Sequence, residues 1–159
     1  MEEILQPTDH ISGFDIRPGY YLMNGATQVR GGVNFTIHSF YATSVTLLLF
    51  KRQQQEPYAQ IPFPQQYKIG NTYSMIVFGL DITEFEYAYS IDGPYDKSKG
   101  IIFNKDKYIL DPYAKAVTGQ SVWGEKLKGE NCYKARVVDT SYDWSTFHNP
   151  YHKFEDLVI

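Results

Sequence analysis

From residue 33 onward, apolar and polar side chains take turns along the chain. In Val33-Asn34-Phe35-Thr36-Ile37-His38 the alternation has period two, which in an extended backbone sends Val33, Phe35 and Ile37 to one face. The run Val45-Thr46-Leu47-Leu48-Leu49-Phe50 reads as a central strand. Val45, Leu47 and Leu49 share one face, and Leu48 with Phe50 asks for partial cover on the other. Residues 72–78 are again rich in β-formers. The longest alternation follows Gly79-Leu80-Asp81, where Phe85, Tyr87, Tyr89 and Ile91 interleave with Glu86, Ala88 and Ser90. Four large side chains therefore line one side until Asp92-Gly93-Pro94 ends the strand.

Weaker signals fill the gaps. Arg17-Pro18-Gly19 and Asn24-Gly25 are turns, and the pattern predicts a short edge strand between them at 20–23. Residues 58–63 read as an edge strand, because Pro57, Pro62 and Pro64 lack the amide that a central ladder needs. Residues 51–55 read as a solvated loop, 101–104 and 108–110 as short extended pieces, and 133–138 as an added strand. Asp111 before Pro112 fits an N-cap followed by proline at the first helical position, predicting one or two helical turns over 113–117. The stretch 142–152 reads as an extended connector, and Glu155-Asp156-Leu157-Val158-Ile159 as the opening of another apolar strand. No helical period is sustained before residue 111. Strands separated by turns predict an all-β, antiparallel sandwich and not a βαβ fold. The expected organisation is an N-terminal segment at 1–17, a sandwich at 18–118, and a connector from 119.

Composition narrows the function. With 159 residues the chain is one domain, or one domain plus a tail, able to bury a core without disulfides or metals. Its 14 Tyr and 10 Phe strengthen the β reading, since these rings suit a pleated, half-buried surface. Tyr also stacks on sugars, but a tyrosine-rich core is the plainer account. The formal net charge is -3 and the basic residues are scattered, Lys51-Arg52 being the one adjacent pair; that argues against a nucleic-acid partner. A neutral polysaccharide requires no such charge. The lone Cys132 excludes an internal disulfide and a cysteine zinc cluster, and fits a reducing cytoplasm. The chain has neither a membrane-length apolar run nor a secretory start, so the expected location is soluble and cytoplasmic.

Five landmarks, taken in order, carry a family resemblance. They are Gly25-Ala26-Thr27 with Gly31-Gly32-Val33-Asn34-Phe35, the strand 42–50, Ile91-Asp92-Gly93-Pro94-Tyr95-Asp96 with Phe103-Asn104-Lys105, Leu110-Asp111-Pro112-Tyr113-Ala114-Lys115-Ala116, and Tyr142-Asp143-Trp144 with residues 155–159. From about residue 12 to the end, the chain resembles the front of isoamylase-type glycogen-debranching enzymes of glycoside hydrolase family 13. The resemblance implies an immunoglobulin-like sandwich of carbohydrate-binding module family 48, followed by a catalytic barrel whose first strand opens near residue 155. It implies a parent enzyme that hydrolyses α-1,6 branches in glycogen or a related α-glucan. In that frame this chain is a non-catalytic front domain that packs on the barrel and contacts α-glucan. The alternative is an autonomous glycogen- or starch-binding module that tethers a partner, as in the β subunit of the AMP-activated kinase.

Retaining glycoside hydrolysis needs two carboxyl groups about 5 Å apart, and the resemblance puts those in the barrel. Here Glu84, Glu86, Asp81, Asp92 and Asp111 have turn, edge or cap roles, so no catalytic residue is assigned. His148 and His152 have a helical metal spacing that Asn149-Pro150 interrupts, and His10 and His38 are dispersed; no metal is expected. Gly31-Gly32 lacks the spacing of a phosphate loop, and no cofactor is expected. For sugar contact, Tyr95 stands where the glycogen-binding relatives carry a tryptophan after the Asp-Gly turn, and Trp123 falls near their late contact. Ala88 replaces their lysine, and residues 51–55 hold no counterpart of their second tryptophan. Tyr95 and Trp123 are therefore the carbohydrate-binding candidates. Tyr113, Trp144 and Leu157 are the candidates for packing on the barrel, a role that also suits Tyr95 and Trp123.

Overall fold

The computed structural model describes residues 5–120, 122, 124, 133–148, 151–153 and 155. In chain order its strands begin with β1 (Asp9–Ile11), β2 (Phe14–Pro18), β3 (Gly25–Val29), β4 (Gly32–His38) and β5 (Ser44–Lys51). Next come β6 (Pro57–Pro62), β7 (Lys68–Ile69), β8 (Thr72–Phe78), β9 (Phe85–Asp92) and β10 (Tyr95–Asp96). The last are β11 (Ile101–Ile102), β12 (Tyr108–Ile109), β13 (Ala116–Thr118) and β14 (Lys134–Arg136). The first sheet runs β1-β2-β8-β4-β3 with β7 beside β8, and the second runs β13-β14-β9-β5-β6 with β12 beside β9. Both are antiparallel throughout. β10 and β11 form a separate hairpin.

The alternation expected from the sequence becomes the core of an immunoglobulin-like, all-β sandwich. Val33, Phe35 and Ile37 of β4 meet Val45, Leu47 and Leu49 of β5 and Phe85, Tyr87, Tyr89 and Ile91 of β9 in one buried cluster. Phe35 sets its ring edge-on to Tyr87 with centroids 5.3 Å apart, a geometry that favours the ring quadrupoles. The second face of β5 has the cover its sequence required: Leu48, Phe50 and Ala88 form a small cluster under Tyr108. β6 lies at the edge of its sheet, as its prolines demand, and β14 supplies the late added strand.

Three expectations change. Residues 20–23 are not an edge strand but a strap across the outer face of the first sheet. The Tyr20 N–H donates to Asn34 Oδ1 at 2.7 Å, Asn34 Nδ2 donates to Thr36 Oγ1 at 3.0 Å, and the Thr36 and Ser74 hydroxyls lie 2.6 Å apart. The strap can lie this close because residue 19 is glycine: a Cβ there would fall 2.3 Å from Ser74 Oγ and 2.7 Å from the Met75 amide. Second, residues 113–117 do not form a helix. Asp111 does cap, with Oδ1 accepting from the Tyr113 N–H at 2.8 Å, but the chain makes one turn and enters β13. Third, the sandwich takes in residues on both sides of 18–118: β2 lies in the first sheet with Ile16 fully buried, and β14 lies in the second. The strand expected at 155–159 lies outside the described residues apart from Glu155. Among the described residues no helix is long and apolar enough to cross a membrane.

Candidate functional site

The end of β9 is where the candidate surface begins. Asp92 Oδ1 accepts from the Gly93 N–H at 2.9 Å, and the Asp92 carbonyl accepts from the Thr43 N–H at 2.9 Å, joining this turn to the β4–β5 loop. Gly93 is required for close approach, since a Cβ would sit 2.7 Å from the Phe103 ring and 2.9 Å from the Tyr41 carbonyl oxygen. Past the turn, Tyr95 pairs with Ile102 in the β10–β11 hairpin. The Asp96 carboxylate accepts from the hydroxyl and amide of Ser98 at 2.6 and 3.0 Å. The Ser98 hydroxyl bond is the main reason its pKa falls below the ordinary carboxylate value. The hairpin holds Tyr95 63% exposed, with Lys97 Nζ 6.0 Å from its ring centroid.

Tyr113 occupies a second position. Asp111 is almost fully buried and accepts from the Tyr87 hydroxyl at 2.7 Å through its other oxygen. Burial raises the Asp111 pKa, opposed by its two hydrogen bonds, and burial followed by the neighbouring carboxylate pushes the Tyr87 phenol well above its usual value. This anchor pins the 110–114 segment between β9 and β3, where the Tyr113 backbone and Cβ press on Gly25. The Tyr113 ring is left exposed.

Trp144 lies in the C-terminal connector. Its ring meets Tyr142 at 4.5 Å and Phe147 at 5.3 Å, both edge-on, and all three side chains are exposed. Short turns hold the group, with Asp139 accepting from the Ser141 N–H and Asp143 from the Ser145 N–H, each at 2.8 Å. Among the described residues no ring contact joins Tyr95, Tyr113 and Trp144. Trp123 and Leu157 lie outside the described residues.

The outer face of the second sheet is closed by apolar packing. Ala88 is fully buried beneath Tyr108 beside Leu48 and Phe50. Ser90 Oγ donates to the Lys105 carbonyl at 2.7 Å, holding the 103–109 segment over this face. The two buried carboxylates among the described residues, Glu86 and Asp111, do not form a catalytic pair. Tyr87 points into the core and holds Asp111, whereas its strand neighbour Glu86 points to the opposite face. Among the described residues no group of three or more His, Cys, Asp or Glu is placed to hold a metal ion.

Two exposed aromatics escaped the sequence reading. Phe40 and Tyr41 project from the β4–β5 loop, with the Phe40 ring tilted 57° against the His38 ring at 4.8 Å between centroids. The available signal was a pair of adjacent aromatics inside a polar turn, where no strand phase accounts for them.

Known proteins agree with this architecture. Residues 24–114 match the carbohydrate-binding module 48 family (isoamylase N-terminal domain). The chain is 32% identical over 141 residues to a glycogen debranching enzyme of Serratia proteamaculans (strain 568), covering 82% of this chain and 21% of that one. It is 38% identical over 139 residues to a glycogen debranching enzyme of Yersinia pseudotuberculosis, covering 80% and 20%. To the chloroplastic isoamylase SU1 of Zea mays it is 30% identical over 145 residues, covering 85% and 18%. The chain thus spans roughly a fifth of the length of these relatives. Among solved structures, a Klebsiella pneumoniae pullulanase complexed with maltotriose matches with a TM-score of 0.54 at 21% identity, covering 74% of this chain and 10% of that one. A multi-modular glycogen-degrading pneumococcal virulence factor, SpuA, matches at 0.55 and 19%, covering 77% and 12%. At these identities the structural likeness speaks for the fold.

Proposed function

Because the chain belongs to the carbohydrate-binding module 48 (isoamylase N-terminal domain) family, we propose that it is the non-catalytic front domain of an α-1,6-glucosidase that debranches glycogen or a related α-glucan. In this reading it packs on the catalytic barrel, shapes one flank of the substrate groove and touches the glucan as part of the larger enzyme. The observation that carries the proposal is the match of about four-fifths of this chain to one fifth of enzymes named for debranching. The carboxylates support it too, since the buried pair faces opposite sides of one strand and cannot flank a glycosidic bond. Residues 18–118 make up most of the domain, completed by β1 and β2 before them and β14 after them, and the residues past β14 lead on to the barrel. Tyr95 and Trp123 contact carbohydrate, and Tyr113, Trp144 and Leu157 pack on the barrel. The parent works in the cytoplasm, in keeping with a single cysteine.

Autonomous tethering to glycogen is the weaker reading, because Ala88 is sealed under Tyr108 and the 51–55 loop offers no tryptophan. One exposed ring is worth on the order of 1 kcal/mol, too little to hold a flexible chain. Native electrophoresis in a glycogen-containing gel tests the choice. The isolated chain is expected to run almost unretarded, and the longer protein is expected to release linear chains from glycogen. Strong retardation of the isolated chain that Tyr95→Ala abolishes would overturn this reading in favour of the tether.

A further inference from the structure

A polar pocket of roughly 500 Å³ opens on the outer face of the second sheet, at the end of β9 opposite the Asp92-Gly93 turn. Arg52, Gln53 and Gln55 of the β5–β6 loop line it on one side, Thr118 and Lys134 of β13 and β14 on the other, and Glu86 of β9 between them. Two of these side chains carry charge into a nearly closed setting: Glu86 is 4% exposed and Lys134 2%. Lys134 Nζ donates to Gln55 Oε1 at 3.3 Å and lies over the Phe50 ring. Glu86 has no such support. Among the described residues neither a hydrogen bond nor an ion pair reaches its carboxylate. A carboxylate so placed is costly unless donors come to it from the pocket it lines.

The lining says which molecule could fill it. Among the described residues no aromatic side chain lines this pocket, so a neutral glucan finds no ring on which to pack the apolar face of its sugars. Arg52 and Lys134 outnumber Glu86, which favours an anion. The basic side continues beyond the pocket. Arg136 shares the outer face with Lys134, on either side of the inward Ala135, and its buried Nε has no hydrogen-bond partner among the described residues. A bare anion, however, would face the Glu86 carboxylate. Hydroxyl groups remove that conflict, because each can donate to Glu86. Thr118 Oγ1, which donates to the Lys134 carbonyl at 3.3 Å, keeps its acceptor capacity, and the Gln53 and Gln55 amides add further partners. The combination selects an anionic group and several hydroxyls on one small molecule, and the volume is that of a small-molecule site.

We propose that this pocket binds a hexose monophosphate, with the phosphate oxygens held by Arg52 and Lys134 and the sugar hydroxyls donating to Glu86. The site is separate from the Tyr95 surface, and it does not depend on the parent being a debranching enzyme. Glu86 is its selective element: it repels phosphate alone and favours phosphate carried on a sugar.

Titration of the chain followed by amide chemical shifts tests this, with glucose 6-phosphate, inorganic phosphate, maltotriose and glycine as probes. Glucose 6-phosphate is expected to give saturable shifts at Arg52, Gln53, Gln55, Glu86, Thr118 and Lys134, with a submillimolar Kd. Each of the other probes is expected to bind at least about tenfold more weakly. Glu86→Gln is expected to weaken glucose 6-phosphate about tenfold while tightening inorganic phosphate about threefold. A purely structural role for Glu86 would not move the two probes in opposite directions. Arg52→Ala, at an exposed position, is expected to weaken both phosphates about tenfold, and it carries the test if Glu86→Gln fails to fold; thermal midpoints of the variants are the control. Inorganic phosphate binding as tightly as the sugar phosphate overturns the proposal, leaving an anion contact only. Maltotriose binding as tightly overturns it as well, by making the pocket a plain glucan contact. Glycine binding more tightly would assign the pocket to a zwitterion, and no saturable shift with any probe would empty it; either result also overturns the proposal.

Discussion

The two sheets of this sandwich close their outer faces by opposite means. The first sheet is covered by the strap at 19–23, and the contact is polar: Asn34, Thr36 and Ser74 are fully buried and satisfy one another and the Tyr20 amide. The second sheet is covered by the segment leading into β12, and the contact is apolar: Leu48, Phe50 and Ala88 lie under Tyr108. Each face is dry, but for different reasons. A buried polar network holds only while every member has its partner, whereas an apolar patch tolerates reshaping and excludes charge. The polar cover therefore specifies where the strap lies. The apolar cover seals the outer face around Ala88.

That contrast can be broken from either side. The largest effect is expected for Ala88→Lys, which places an ammonium beneath Tyr108 near the buried Lys134, whose Nζ already lies 4.8 Å from the Phe50 ring centroid. A loss of about 3 kcal/mol in urea unfolding is expected, the range for an unpaired buried polar group. No gain in glycogen binding should accompany it in the native gel. A variant that stays as stable as the parent and binds glycogen would show that the cover is loose and that the face is a latent sugar site.

On the polar side, Asn34→Ala removes the acceptor of the Tyr20 N–H and a donor to Thr36. About 2 kcal/mol is expected to be lost, together with faster amide exchange confined to residues 19–23. Global destabilisation without local loosening of the strap would contradict the idea that Asn34 places it.

Asp111 sharpens the comparison because it lies between the sheets and mixes both chemistries. Its pKa is raised above 3.8 by burial, so the fold binds the proton more tightly than the unfolded chain does. The stability linked to this group is full below 3.8 and is lost as pH rises through the folded value. Asp111→Asn removes that dependence. The deficit of the variant relative to the parent is expected to grow from neutral pH to about pH 4.5. Urea midpoints at the two pH values check it, and a deficit that shrinks on acidification would mean that the hydrogen bonds from Tyr87 and Tyr113 outweigh burial.

The smallest effect belongs to Tyr95→Ala. An exposed ring on the β10–β11 hairpin should cost at most about 0.5 kcal/mol of stability, and chemical denaturation of the isolated chain reads it.

The inward faces were legible because period-two alternation is a local property. Val33, Phe35 and Ile37, or Phe85 through Ile91, can be assigned to one side without knowing what they meet. Leu48 and Phe50 betrayed a second cover, though not its source. The strap was misread as a strand because Tyr20 to Met23 carries the same residue types as an edge. Only Asn34, opposite in phase and fourteen positions away, tells it where to lie. Asp111 was rightly read as a cap and wrongly as the start of a helix, since the Tyr87 hydroxyl that holds it is invisible to any local pattern. Among the candidate contacts, the Asp-Gly turn pointed to Tyr95, but the packing beside it needed Tyr41 and Phe103 to be brought together across Gly93.

By itself the order of residues determined the β class, the strands facing the core and the family landmarks, because alternation and turn chemistry act over a few neighbours. The tertiary structure alone decided what covers each outer face, where Asp111 is anchored and which aromatics remain in water. Those outcomes depend on contacts between segments far apart in the chain, and the free energy of burial is decided by what arrives from elsewhere.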